Sequence, residues 1–175
     1  KAHYPTEFIT ALLAAESADI EKIAFFVDEA RTMGIDVLAP DINQSFENFT
    51  VIETKKIRFG LGAVKNVGSN IVRALIEERT ARGIFTSIAN FAERVQHKDF
   101  NKKSTESLIK CGALDDLGER NQLLENLFLI LQYNRESQRI ARGGQTSLFG
   151  MMPEAGIVSF RLRPAEQSSK RDRLQ

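Results

Sequence analysis

The stretch from Gly62 to Glu78, GAVKNVGSNIVRALIEE, holds the residues with the most suggestive chemistry. A short apolar turn runs through Lys65, Asn66, Val67, Gly68 and Ser69 into a segment with helical period. A helix start leaves its first N–H groups unpaired and carries partial positive charge, so it attracts an anion. Gly68 has no side chain to hold a phosphate away, and Lys65 adds a full charge beside it. Such a turn can hold a nucleic-acid backbone without reading bases. The other reading is a tight turn before a core-packing helix. The multiple glycines and Lys-Ser/Thr pair of a P-loop are missing, so this element gives no support for binding a nucleoside triphosphate.

A second turn of this kind lies at Gln96–Lys103, QHKDFNKK, where Lys98, Asn101, Lys102 and Lys103, with Arg94 and Lys110 nearby, face only Asp99 and Glu106. Alone it reads as a solvated charged turn. Two helical hairpins in tandem, each basic at its turn, favour a double grip on successive phosphates, because linked contacts reinforce one another. Other chemistry is thinly represented. His3 and His97 are far apart and lack metal-ligand spacing, and Asp115 with Asp116 precede a helix, where capping explains them better than two-metal catalysis. No residue is assigned a catalytic or metal-binding role. Cys111 reads as a small core residue.

The elements that must position these turns follow from periodicity. Pro5 suits a first helical turn, with Phe8, Ile9, Leu12 and Leu13 on one face. Asp19 is a candidate N-cap for a helix whose apolar side is Ile20, Ile23, Phe26, Val27 and Ala30, with Gly34 for its left-handed end. Between Gly34 and Gly60 the period becomes alternating, through Ile35 and Val37, then Phe49 and Val51, then Ile57, Phe59 and Leu61. This predicts short strands, the last two pairing as a hairpin across Glu53–Lys56.

Helical period returns with Ile71, Val72, Leu75 and Ile76 up to Gly83, and again from Thr86 or Ser87 through Ile88, Phe91, Ala92 and Val95. Asn101 can cap a helix that carries Leu108 and Ile109 and stops at Gly112. One long helix is expected from about Glu119 to Arg142, stacking Leu123, Leu124, Leu127, Phe128 and Leu131. Phe26, Phe49, Phe59, Phe91 and Phe128 all fall at periodic positions that predict burial. Residues 143–175, with their glycines, prolines and charges, read as a flexible tail.

Composition sets the outer bounds. The 175 residues are 42% hydrophobic, enough for a core of one domain or two small ones. The 24 Lys+Arg against 23 Asp+Glu leave a formal charge of +1, so a site for a polyanion has to be local. One cysteine makes no internal disulfide and no thiolate zinc cage, which suits a cytoplasmic location. No apolar run approaches the roughly 20 residues that span a bilayer, so no membrane partner is expected. The amino end lacks a signal-peptide core and starts on Lys1 against a structured segment, which reads as part of a longer chain.

Four blocks then carry a resemblance. HYPTEF at 3–8, MGIDVLAPDIN at 33–43, IRFGLGAVKNVG at 57–68 and NKKSTESLIKCGALDDLG at 101–118 resemble, in order and spacing, the bacterial DNA polymerase III alpha family of C-family replicative polymerases. The resemblance implies a mainly helical fold with a small β-hairpin, in which a tandem helix-hairpin-helix follows a helical fingers segment. It places the end of the fingers at 1–60, the tandem hairpins at 61–118, the long helix at 119–142 and the tail at 143–175.

Carried over by position, the grip on double-stranded DNA falls on Lys65, Asn66, Val67, Gly68 and Ser69, largely through backbone N–H groups, and on Lys98, Asn101, Lys102 and Lys103. Gln145, with Leu148 and Phe149, resembles the family's sliding-clamp motif, in which two apolar anchors fill a pocket while the amide bonds at its edge. The resemblance implies a bacterial cytoplasmic DNA-directed DNA polymerase as the parent, with the remainder of the polymerase chain as a partner. It implies Mg2+ on palm carboxylates that this stretch does not contain, and no cofactor here. Two rival readings use the same residues: an accessory helix-hairpin-helix module of DNA repair or recombination, and a protein-interaction scaffold without DNA affinity.

Overall fold

The computed structural model describes residues 3–141, 162 and 164. The chain begins with helix α1 (Pro5–Ala15), which has proline in its first turn, followed by α2 (Ile20–Thr32). The Asp19 carboxylate accepts from the N–H groups of Glu21 and Lys22, and Gly34 closes the end of α2 at φ 68°. The buried stripe is narrower than the sequence suggests. Ile9, Leu13, Ile23 and Ala30 are buried with Phe26 and Val27 against them, whereas Phe8 and Ile20, expected on the apolar faces, are exposed.

Three short strands follow: β1 (Asp36–Leu38), β2 (Thr50–Glu53) and β3 (Lys56–Arg58). The expected hairpin is present, turning at Thr54 and Lys55 with Lys55 at φ 65°, and Val51 opposite Ile57. It is not alone. β1 pairs in parallel on the other side of β3, with Val37 opposite Ile57, giving a mixed sheet of order β1-β3-β2. An isolated two-stranded ribbon is marginal in water, and the third strand with the helices against it supplies the missing support.

The second half is helical: α3 (Ser69–Arg82), α4 (Ile88–Arg94), α5 (Lys102–Lys110), α6 (Arg120–Glu125) and α7 (Leu127–Ala141). The single long helix expected from Glu119 is two helices broken at Asn126, whose N–H donates to Gln122 O and whose carbonyl accepts from Ile130 N. The inward stripe of α7 is Leu127, Ile130, Leu131 and Asn134, spaced for one helical face. Phe128 stands one position off that stripe and is 75% exposed, which corrects its assignment to the core. In the predicted tail, Leu162 is half-buried against this helical core.

Two apolar clusters organise these elements. One joins α1, α2 and the sheet; the other joins α3 to α7 with Ile42, and Phe59 packs against both. At the edge of the helical cluster, beside Ile42, Asn43 bonds Phe85 twice, donating to its carbonyl at 2.9 Å and accepting from its N–H at 2.8 Å. The Arg79 guanidinium donates to Ile42 O at 2.7 Å and Ser45 O at 2.6 Å. Burial pulls the Arg79 pKa below its ordinary value, partly offset by Asp41.

Arg94 is the polar centre of the helical half. Only 7% exposed, it bonds the Glu78 carboxylate at 2.9 Å, the Asn90 side chain at 3.1 Å, and the carbonyls of Glu78, Gly83 and Ile84 at 2.8–3.1 Å. Its guanidinium also lies 4.6 Å from the centroid of the Phe85 ring. Opposite, Asn134 on α7 donates to Ala92 O and Val95 O, satisfying carbonyls at the end of α4. Replacing Arg94 by Met should cost about 2–3 kcal/mol, because the carbonyls of Glu78, Gly83 and Ile84 lose their donors while the Glu78 carboxylate keeps only its pair with exposed Arg82. Denaturant unfolding measures this, and a loss below about 1 kcal/mol would contradict a central role for the guanidinium.

Candidate nucleic-acid interface

The first turn is built by two valines. Val67 N–H donates to Val64 O at 3.1 Å, and both side chains are buried in the helical core. That leaves Lys65 and Asn66 exposed at the tip. The third residue of such a turn needs a positive φ, which Asn tolerates better than most side chains, and Asn66 has φ 64°. The preceding helix is a single 3₁₀ turn, Leu61–Ala63. It is held against the chain ahead of β2, with Leu61 N–H on Phe46 O at 2.8 Å and Gly62 N–H on Glu47 O at 2.9 Å.

Gly60 makes this contact possible, since a Cβ there would stand 2.5–2.8 Å from backbone atoms of Asn48, Glu47 and Phe49. Gly68, the N-cap of α3, differs. Its φ of −75° suits any residue, and a Cβ would meet nothing within 4 Å. The fold does not require glycine at 68, and no side chain caps the helix it starts. The open space lies directly over the start of α3.

The second turn repeats the hydrogen bond 33 positions later, but without the left-handed third residue, since Asp99 does not have a positive φ. Phe100 N–H donates to His97 O at 3.0 Å, Phe100 is buried in the same core, and Lys98 is exposed at the tip. Lys98 thus matches Lys65, Asp99 matches Asn66, Phe100 matches Val67, and the N-cap Asn101 matches Gly68. The chemistry of the two caps is opposite. The Asn101 side chain accepts from the N–H groups of Lys103 and Ser104, and Ser104 Oγ accepts from Asn101 N–H, a complete capping box. The start of α5 is therefore closed by its own side chains, while exposed Lys102 and Lys103 follow it.

The structure brings most of the expected residues together and reassigns some. Lys65, Asn66, Gly68 and Ser69 are exposed at the first turn, and Lys98, Asn101, Lys102 and Lys103 at the second. Val67 is core, with its N–H already used inside the turn. Arg94, counted in the basic surface, is buried beneath it. Lys110 pairs with Glu106 at 2.7 Å, and this contact first, with Lys102 adding to it, holds the Glu106 carboxyl below its ordinary range. Lys65, Lys98, Lys102 and Lys103 form no salt bridge with another described residue. One residue that sequence reasoning missed is Ser107 on α5, whose Oγ accepts from the Asn66 side-chain amide at 3.1 Å. A lone serine inside a helix gives no signal of this.

Asp115 is not a cap either. It pairs with Arg120 at 2.7 Å, while Glu119 caps α6 by accepting from Gln122 N–H. Among the described residues no group of three or more His, Cys, Asp or Glu could hold a metal ion. No helix among them is long and apolar enough to cross a membrane. Gln145, Leu148 and Phe149 lie outside the described residues.

Two short helical units joined by turns, repeated in tandem, define a helix-hairpin-helix architecture, and a model of the helix-hairpin-helix motif matches residues 34–123. The chain belongs to that family. It is homologous to a segment of DNA polymerase III subunit alpha, being 44% identical over 158 residues to the Thermus aquaticus protein and 44% identical over 154 residues to that of Deinococcus radiodurans. With the subunit of Neisseria meningitidis serogroup A it shares 38% over 175 residues. These alignments cover 90%, 86% and 99% of this chain but only 13%, 12% and 15% of the respective relatives.

Two outcomes test the local geometry. Gly60→Ala should destabilise the fold by about 1–3 kcal/mol through backbone overlap, whereas Gly68→Ala should stay within about 0.5 kcal/mol of wild type; equal effects in denaturant melts would contradict the contrast. Burial pushes the Cys111 thiol up to about 11. At pH 8 the native protein should therefore react with a disulfide reagent roughly a hundredfold more slowly than the unfolded chain. Because unfolding restores the ordinary thiol pKa, this residue's contribution to stability declines as pH rises from 9 towards 11. Rapid native labelling at pH 8 would show the thiol is not held in this way.

Proposed function

We propose that this chain is the segment of a bacterial replicative DNA polymerase that grips the backbone of double-stranded DNA without reading its sequence. The feature that supports this best is the open start of α3, where uncapped helix N–H groups, the unfilled space at Gly68 and the Lys65 ammonium converge on one patch. The first turn acts through backbone donors at Gly68 and Ser69 with Lys65 beside them. The second acts through the ammonium groups of Lys98, Lys102 and Lys103. Phosphate contacts of this type fix position and register but carry no base information.

On this reading residues 1–60 end the fingers, and 61–118 form the DNA-binding tandem. The parent chain carries out template-directed DNA synthesis in the bacterial cytoplasm with Mg2+ held elsewhere, on palm carboxylates. Gln145, Leu148 and Phe149 tether the sliding clamp, consistent with a Gln followed by a Leu-Phe pair soon after the hairpins. Homology to DNA polymerase III subunit alpha supports the parent's identity.

The isolated chain should bind duplex DNA with Kd on the order of 10⁻⁴ to 10⁻⁶ M at physiological salt. Lys65→Glu with Lys102→Glu should weaken it at least tenfold and flatten the salt dependence, with little change between duplex sequences. Fluorescence anisotropy across a salt series provides the measurement. Tight, salt-insensitive or sequence-selective binding would rule the backbone grip out. For the tether, Leu148→Ala with Phe149→Ala should abolish capture by the cognate clamp while leaving the thermal midpoint unchanged, and undiminished capture would eliminate that role.

A further inference from the structure

Two phosphate-contacting turns act as one site only if their separation is held, because a loosely linked second contact loses much of its effective concentration. The turns lie on different units, joined by apolar packing, which is non-directional, and by the bonds of Arg94 on α4 to Glu78 and Gly83, which fix the exit of α3 far from the two tips. One directional contact runs from the tip of the first turn to the helix that the second turn starts: the Asn66 side-chain amide donates to Ser107 Oγ at 3.1 Å. Asn66 reaches it from a left-handed backbone position, and Ser107 is half-buried on α5, five residues beyond the first helical residue, Lys102.

We infer that Asn66 and Ser107 are positioning residues that fix the spacing of the two turns, so that both engage one DNA backbone at the same time. The inference rests on the phosphate-grip reading above and adds to it a fixed geometry. Neither side chain needs to touch DNA for this. Their hydrogen bond keeps Lys65 and the open start of α3 in register with Lys102 and Lys103, so the cost of ordering the two turns is met within the folded protein and not on binding.

The 175-residue chain, a 20-base-pair duplex and a salt series test this. Asn66→Gly removes the side chain but keeps the positive φ that the turn requires, and Ser107→Ala removes the acceptor without touching either turn. Each should weaken binding by about three- to tenfold and reduce the slope of log affinity against log salt, as fewer phosphates are held at once. The double variant should be no weaker than either single one, and Ser107→Thr, which keeps a hydroxyl, should restore wild-type behaviour. Thermal midpoints are measured in parallel to separate positioning from folding. If both single variants bind with wild-type affinity and slope while Lys65→Glu with Lys102→Glu still weakens binding, the spacing role is wrong and the grip stands. If that charge reversal also leaves binding unchanged, the grip fails and this inference with it.

Discussion

The buried guanidinium of Arg94 is the constraint on which the helical half depends. A charge this deeply enclosed is tolerated only when its donors are matched, and here a carboxylate, an amide oxygen and three carbonyls meet it. Those acceptors lie at the end of α3, in the connection after it and on α4. Arg94 thereby fixes the exit of α3 and the entry of α4 in one arrangement, with Asn134 closing the far end of α4 from α7. Both turns are mounted on this frame, since the first leads into α3 and the second leaves α4. Apolar packing alone would hold the helices together with less discrimination among crossing angles.

On that frame the chain has placed a hydrogen-bonded turn twice, left-handed at its third residue only in the first, and completed the two differently. Each has an apolar residue at its fourth position, driven into the core, and a lysine at its second, left in water. The divergence comes at the N-cap. Glycine at 68 leaves the helix start open, while asparagine at 101 seals it with a capping box. A sealed start is more stable locally but has fewer amide donors to offer, and lysines gather behind it. In the proposed grip the two units would meet one polyanion by different means, one through peptide groups and one through side chains.

Much of this was legible in the residues. Helical period located α1 to α5 and the span that α6 and α7 share, and Asp19, Ser87 and Asn101 cap where short polar side chains before apolar stripes should. The β2-β3 hairpin followed from alternation across a two-residue turn. What was hidden has a common cause: it depends on partners distant in sequence. β1 is an edge strand because β3, eighteen or more residues later, accepts it in parallel. Arg94 reads as a surface cation until Glu78 and three carbonyls are brought around it. Phe128 fits a continuous stripe from Leu123, and only the break at Asn126 rotates it out. Asp115 resembles a cap until Arg120 folds back to it. The turns themselves were legible because their geometry is local; the contact of Ser107 with Asn66 was not, because it exists only across the gap between units.

The attachment of the first turn to the sheet has a mechanical corollary. Leu61 and Gly62 are bonded to Phe46 and Glu47, and the same neighbourhood is tied to α3 by Arg79 and to the following loop by Asn43. A load applied to the chain ahead of β2 would travel through these hydrogen bonds to the 3₁₀ turn that leads into the tip at Lys65. Swinging of the amino-terminal helices against the helical half would have to carry the tip with it or shear those contacts.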